Sequence, residues 1–96
     1  MEAEAAARAA AHARSIPYIS PYNDPLVAGG QGTIALELLA AIPPGRLGTV
    51  FVPVGGGGLI AGIAAVLKTV VEGDDVRVVG CQPAASDVMR RCACIE

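Results

Sequence analysis

The chain has 96 residues, with seven Lys or Arg, nine Asp or Glu and a formal net charge of −2. This length is typical of one small domain, and the slight acidity without a basic stripe argues against a nucleic-acid partner. The three cysteines are an odd number without the spacing of a disulfide framework, which favours a reducing, cytoplasmic environment. With His12 as the only histidine, Cys92 and Cys94 cannot complete the four ligands of tetrahedral zinc, so no metal site is expected.

The first half of the chain is predicted to form two helices separated by a short strand and a loop. Residues 1–14 are rich in alanine and indicate a helix, and residues 16–19 have the pattern of a short strand. Asp24 followed by Pro25 is a typical helix start, because Asp accepts hydrogen bonds from the first amides and Pro fits the first helical position. We expect this second helix to end at Ile42, before a Pro-Pro-Gly sequence.

Three glycines lie inside this second predicted helix: Gly29, Gly30 and Gly32. Glycine weakens a helix, and it is usually retained where another backbone comes close. We expect the glycine-rich loop later in the chain to be that neighbour.

The second half of the chain is predicted to alternate strands with helices. The elements are a strand at 49–54, a helix at 58–71, a turn at 73–75, a strand at 76–81 and a helix from about residue 84 to the terminus. Apolar strands that alternate with helices are typical of a parallel α/β sheet. Together with 16–19 they make an incomplete sheet, so we predict a piece of a three-layer α/β domain with a parallel, mixed-edge sheet and no second domain.

Four consecutive glycines, at 55–58, connect the predicted strand to the predicted helix. Such a loop presents several unobstructed N–H groups to one point, and the helix adds about half a positive elementary charge there. Glycine also tolerates any φ that the loop requires. The pattern therefore predicts an anion site, and phosphate is the expected occupant.

Other interpretations of this region are weaker. A membrane span at 47–67 is not expected, because Pro53 and the four glycines would disrupt a single helix. A P-loop needs Lys-Ser/Thr where Ile63 and Ala64 stand. The dinucleotide fingerprint is matched in form at 56–61, but Cys81-Gln82 replaces the acid that would bind a ribose hydroxyl. A dinucleotide site and a non-catalytic module that binds a phosphate-bearing ligand both remain as alternatives.

Three ordered motifs cover most of the chain from residue 16 onward. They are PYNDP at 21–25 followed by GQGTIALE at 30–37, VPVGGGGLIAG at 52–62, and VGCQP at 79–83. In order and spacing they closely resemble the threonine dehydratases and serine racemases, pyridoxal-phosphate enzymes of the tryptophan-synthase-β fold. The resemblance implies that the cofactor phosphate binds to the residues of the glycine loop, namely Gly55, Gly56, Gly57, Gly58 and the N–H of Leu59.

The resemblance also implies what the chain lacks. In the family the cofactor is bound to a lysine in an upstream segment, whereas the only lysine here, Lys68, is expected to be a solvated residue in the middle of a helix. We therefore expect residues 1–96 to be part of the large domain of an enzyme whose reading frame continues on both sides. The segment would contain no catalytic residue and would be inactive alone. The full enzyme is expected to be a cytoplasmic homo-oligomer that acts on a small amino acid.

Three positions distinguish the two branches of this family. Serine racemases carry a pair of acids for a divalent cation where this chain has Gln82 and Val88. Tyr22 stands where dehydratases tend to have an aromatic residue and racemases an asparagine. These differences favour a dehydratase, which eliminates the β-hydroxyl of threonine or serine to give a 2-oxo acid and ammonia. Serine racemase remains the alternative enzyme.

Overall fold

A computed structural model of the chain describes residues 2–71 and 75–93. Its elements in chain order are α1 (Glu2–Ala13), α2 (Pro25–Ala41), β1 (Thr49–Pro53), α3 (Gly58–Val70), β2 (Arg77–Cys81) and α4 (Val88–Ala93). The predicted turn at 73–75 lies outside the described residues except for Asp75, and so does Cys94. Within the described ranges, no helix is long and apolar enough to cross a membrane.

The two strands form a parallel sheet in which α3 is the connection. Thr49 pairs with Arg77 and Pro53 with Cys81, and a bond from the Val54 amide to the Cys81 carbonyl (2.9 Å) extends the pairing. The parallel α/β class predicted from the sequence is therefore confirmed.

The predicted strand at 16–19 was wrong. The segment has no regular structure, and Ile16 and Ile19 are exposed. The amide of Ile16 instead donates to Ala11 at the end of α1 (3.0 Å). Local β-propensity is not sufficient here, because a strand needs a neighbouring ladder and none of the described residues supplies one.

The buried core lies on one face of the sheet, where α3 packs on both strands and α2 packs on α3. It consists of Ala35, Val52, Ile63, Leu67 and Val76. Val52 of β1 and Leu67 of α3 are each only 1% exposed. On the opposite face, Phe51 is 69% exposed, so α3 covers only the Val52 side of β1.

Helices α2 and α3 cross at two glycines with their backbones in contact. A Cβ added to Gly62 would meet the Ala28 carbonyl oxygen and lie 2.7 Å from the Gly32 nitrogen. The expectation of a close backbone neighbour is confirmed for Gly32, but that neighbour is α3 rather than the glycine loop. Gly29 and Gly30 face open space, so the crossing does not explain them.

Helix α4 begins at Val88 rather than near residue 84 as expected. The amide of Ser86 donates to the Pro83 carbonyl (2.9 Å), which closes a turn before the helix. Asp87 then binds the side chains of Arg90 (2.8 Å) and Arg91 (2.7 Å). These hydrogen bonds, first from Arg90 and then from Arg91, hold the pKa of Asp87 below its ordinary value. Residues 83–86 form this turn, so they are not part of the first helical turn and α4 starts later in the chain.

Candidate phosphate-binding site

The glycine loop lies at the carboxyl end of β1 and runs directly into α3. Residues 55–57 form a bend, and α3 starts at Gly58. Gly57 is the residue before the helix, with φ +99° and ψ −1°. Side chains are strained at such a positive φ, so only glycine fits this position without cost.

The amides of the loop are available to a ligand. The Val54 amide is bonded to Cys81, and the Ala61 amide is bonded to the Gly57 carbonyl (3.0 Å). Between these two bonds, the amides of residues 55–60 have no acceptor within 2–71 or 75–93. Gly55 and Gly56 are exposed, Gly57 and Leu59 are half-buried, and Gly58 is buried. A row of unpaired amides at the positive end of a helix has the donor set that a phosphate requires.

The glycines of this loop are needed for different physical reasons. A Cβ on Gly56 would collide with the Tyr22 ring, and one on Gly58 would lie 2.5 Å from the Pro21 carbonyl oxygen. Gly57 is required by its φ. Gly55 has nothing within 4 Å of an added Cβ and no positive φ, so neither packing nor backbone conformation explains it.

The segment at 20–24 forms one wall of the loop. The Ser20 hydroxyl is buried and accepts hydrogen bonds from the amides of Asn23 (3.0 Å) and Tyr22 (3.4 Å). Asp24 caps α2 by accepting from the Leu26 amide (2.8 Å), as the sequence predicts. These local bonds place Pro21 and Tyr22 against the glycines.

The structure adds a contact that the sequence analysis missed. The Tyr22 hydroxyl donates to the Glu4 carboxylate of α1 (2.6 Å), and Arg8 donates to the same oxygen (3.1 Å). The hydrogen bond from Tyr22, followed by that from Arg8, lowers the pKa of Glu4, and the Glu4 bond raises the pKa of Tyr22. The i, i+4 spacing of Glu4 and Arg8 was the available sequence signal, but nothing in the sequence connected it with Tyr22.

A cavity of about 840 Å³ opens beside the loop at the carboxyl edge of both strands. It is lined mainly by apolar groups of Val54, Ile60 and Cys81, and the loop amides lie outside its lining. Gln82 crosses its edge, donating to the Val54 carbonyl (3.1 Å) and accepting from the Arg90 amide (3.1 Å). Both ends of this side chain are therefore used within the fold.

Lys68 is remote from the glycine loop. It lies in the last part of α3, and its ammonium donates to the Val76 carbonyl oxygen (3.3 Å). The expectation of a solvated helix lysine agrees with its exposure, but Lys68 lies in the last turn of α3 rather than in the middle of the helix. Among the described residues, no group of three or more His, Cys, Asp or Glu is placed to hold a metal ion.

Comparison with known proteins gives consistent matches. The family described as pyridoxal-phosphate dependent enzyme matches residues 1–95. The chain is 42% identical over 88 residues to the chloroplastic biosynthetic threonine dehydratase of Arabidopsis thaliana, covering 92% of the chain and 14% of that protein. It is 45% identical over 85 residues to the L-threonine ammonia-lyase of Geobacter sulfurreducens, and this match covers 88% of the chain and 20% of that protein. It is 50% identical over 70 residues to the mitochondrial threonine dehydratase of Saccharomyces cerevisiae, and this match covers 72% of the chain and 12% of that protein. The chain thus spans at most 20% of the length of these relatives.

Proposed function

The chain belongs to the pyridoxal-phosphate-dependent enzyme family, and on that premise we propose that it forms the phosphate-binding part of the large domain of a threonine dehydratase. Such an ammonia-lyase converts a β-hydroxy amino acid to a 2-oxo acid and ammonia. Relatives that are 42–50% identical and are named threonine dehydratase or ammonia-lyase support this assignment. The observation that carries it is the row of unpaired amides between β1 and α3.

In this proposal the residues of the glycine loop anchor the cofactor by its phosphate. The amides of Gly55, Gly56, Gly57, Gly58 and Leu59 donate hydrogen bonds to phosphate oxygens, and the N-terminus of α3 adds partial positive charge. Hydrogen bonds to a charged group contribute about 1.5–3 kcal/mol each, so several of them hold a cofactor firmly. When bound, pyridoxal phosphate supplies an electron sink for cleavage of bonds at the amino-acid α-carbon. Lys68 takes no part in this, because its ammonium binds the Val76 carbonyl away from the loop.

A dehydratase is favoured over a serine racemase by the edge of the cavity. Gln82 is a neutral amide whose two ends bind Val54 and Arg90, and Val88 is an exposed hydrocarbon. These two residues do not provide the pair of carboxylates that a hard divalent cation prefers. Tyr22 supports the same branch, since dehydratases tend to have an aromatic residue there.

The assembly and location of the protein follow from the same proposal. We expect a homo-oligomer that acts on a small amino acid and has no nucleic-acid or membrane partner. The exposed, unpaired Cys81 fits a reducing compartment such as the cytoplasm. Two of the relatives are named chloroplastic and mitochondrial. Fluorescence microscopy of the tagged protein in its own cells distinguishes these locations.

The product of the complete reading frame is the protein to test. Purified with pyridoxal phosphate, it is expected to release ammonia and a 2-oxo acid from L-threonine or L-serine. Formation of D-serine without a 2-oxo acid would support the racemase instead. Absence of saturable binding of pyridoxal phosphate would contradict the proposal.

A matched pair of glycine variants tests the loop itself. Gly55→Ala and Gly48→Ala each add a Cβ to open space, at opposite ends of β1. We expect Gly55→Ala to raise the Kd for pyridoxal phosphate about tenfold, because the methyl group displaces one charge-assisted hydrogen bond. Gly48→Ala is expected to leave the Kd unchanged. Equal Kd values for the two variants would place the phosphate elsewhere.

A further inference from the structure

Tyr22 makes the closest side-chain approach to the glycine loop. The Cβ, Cγ and Cδ1 atoms of Tyr22 all lie where a side chain on Gly56 would begin. The neighbouring Pro21 carbonyl does the same at Gly58. The backbone of the loop is therefore packed against this one tyrosine and the residue before it.

The tyrosine is itself held from the far end of its ring. Its hydroxyl donates to Glu4 (2.6 Å), and Glu4 also accepts from Arg8 (3.1 Å). The Arg8 guanidinium lies 4.7 Å from the centre of the Tyr18 ring, within the distance of a cation–π contact. A chain of contacts thus runs from α1 through Tyr22 to Gly56.

We propose that Tyr22 is a positioning residue for the phosphate loop, and that Glu4 of α1 keeps its ring seated on Gly56. Consecutive glycines have more conformational freedom than any other sequence. A ligand that orders them must offset the entropy that the backbone loses, and its affinity is lower by that amount. A ring packed on Gly56 removes part of that freedom before the ligand arrives. This effect on the cofactor rests on the proposed function, whereas the ordering of the loop does not.

The first measurement is made on the ligand-free protein. Selective labelling with ¹⁵N-glycine allows backbone order parameters to be measured for the loop glycines by NMR. Tyr22→Ala removes both the ring and the hydroxyl and is expected to lower the Gly56 order parameter from about 0.85 towards 0.6. Tyr22→Phe keeps the ring and loses only the bond to Glu4, so a smaller decrease is expected.

The second measurement is the Kd for inorganic phosphate and for pyridoxal phosphate. We expect Tyr22→Ala to raise both Kd values roughly tenfold and Tyr22→Phe to raise them about twofold to threefold. Rescue of most of the affinity by phenylalanine separates ring packing from loss of the hydrogen bond.

The connection to α1 has its own matched control. Glu2 and Glu4 are both acids in the first turn of α1, but only Glu4 contacts Tyr22 among the described residues. Glu4→Ala is expected to reproduce the effect of Tyr22→Phe, and Glu2→Ala to match the unmodified protein. Because Glu4 and Tyr22 share one hydrogen bond, the double variant Tyr22→Phe with Glu4→Ala should be no worse than either single variant.

The possible outcomes are distinguishable. Unchanged Gly56 order parameters and phosphate affinities in Tyr22→Ala and Glu4→Ala overturn the proposal. If Tyr22→Ala fails to fold, the Gly56 order parameter and the phosphate Kd of Glu4→Ala are compared with those of Glu2→Ala, and equal values for the two variants overturn the proposal. If the unmodified protein binds neither phosphate nor pyridoxal phosphate, the proposed function fails. The order parameters then still decide whether Tyr22 holds the loop.

Discussion

The crossing of α2 with α3 and the contact of α1 with Tyr22 both lie close to the glycine loop, but they are built from different groups. At the crossing, the glycines Gly32 and Gly62 bring the two backbones together, and the side chains of Val66 and Gln31 pack alongside. At the other contact, the charged and hydroxyl groups of Glu4, Arg8 and Tyr22 meet at the surface.

The difference teaches which part of the site tolerates change. A backbone crossing cannot adjust to an added atom, because both helices would have to move apart and open the core. A polar surface contact is replaced by water when it is lost, and exposed ion pairs contribute little to stability. The α2–α3 crossing is therefore expected to determine the free energy of unfolding, and the α1 contact to affect only the order of the loop.

The largest effect is expected for Gly62→Ala. Its Cβ would meet the Ala28 carbonyl and the Gly32 amide, so the variant should lose about 3 kcal/mol of stability. Urea unfolding followed by circular dichroism measures this loss. Gly29→Ala is the control in the facing helix: its Cβ enters open space, and replacement of a helical glycine should stabilise by about 0.5–1 kcal/mol. Similar destabilisation by both variants would contradict a close crossing.

A smaller effect is expected for Gly57→Ala, at the start of α3. Alanine at φ +99° costs about 1–2 kcal/mol because its Cβ crowds the backbone. The same unfolding experiment applies, with Gly48→Ala as the control, since Gly48 has neither a positive φ nor a close neighbour. A Gly57→Ala protein as stable as Gly48→Ala would show that the loop relaxes to another conformation.

The next effect is expected for Asp24→Ala, which removes the cap of α2. Loss of the bond to the Leu26 amide should destabilise by about 1 kcal/mol. Asp24→Asn retains an acceptor oxygen and is expected to remain within a few tenths of a kcal/mol of the unmodified protein. If the two variants are equally unstable, the negative charge of Asp24 rather than its hydrogen bond is what matters.

The smallest effect is the pH dependence of the α1 contact. The pKa of Glu4 is lowered, first by the hydrogen bond from Tyr22. The stabilisation that this ionised carboxylate gives to the contact is therefore fully present above the ordinary pKa of 4.5 and is lost as the pH falls through the lowered pKa. The pKa of Tyr22 is raised, so its contribution is present below the ordinary value of 10.0 and is lost as the pH rises through the raised pKa.

This pH dependence can be followed by NMR of the Tyr22 ring. We expect the ring signals to stay constant between the two ordinary values and to change outside them. In Glu4→Ala the acid change should disappear and the alkaline change should shift towards 10.0. An unaltered titration of Tyr22 in that variant would mean that Glu4 does not hold the hydroxyl.

Features that depend on neighbouring residues in the chain were predictable. The Asp24-Pro25 start of α2, the end of this helix near Ile42 and the glycine loop between β1 and α3 all agree with the structure. Each is decided by capping, proline geometry or hydrophobic periodicity within a few residues. The resemblance to pyridoxal-phosphate enzymes rests on the same local motifs, and the family match confirms it.

Features that depend on distant partners were not predictable. Residues 16–19 have strand propensity but meet no ladder among residues 2–71 and 75–93. The start of α4 at Val88 is a different case, because the Pro83–Ser86 turn that precedes it is local. The glycines of α2 also look alike in the sequence, although only Gly32 faces another backbone at the crossing.

Residue order alone is enough to specify a chain of bare amides in front of a helix, because adjacent residues create both the loop and the helix end. Only folding in three dimensions brings Glu4 to Tyr22 across eighteen positions and sets Tyr22 on Gly56. Those contacts form only when helices and loops pack together, and packing depends on the fit between side chains that are far apart in the sequence rather than on any local pattern.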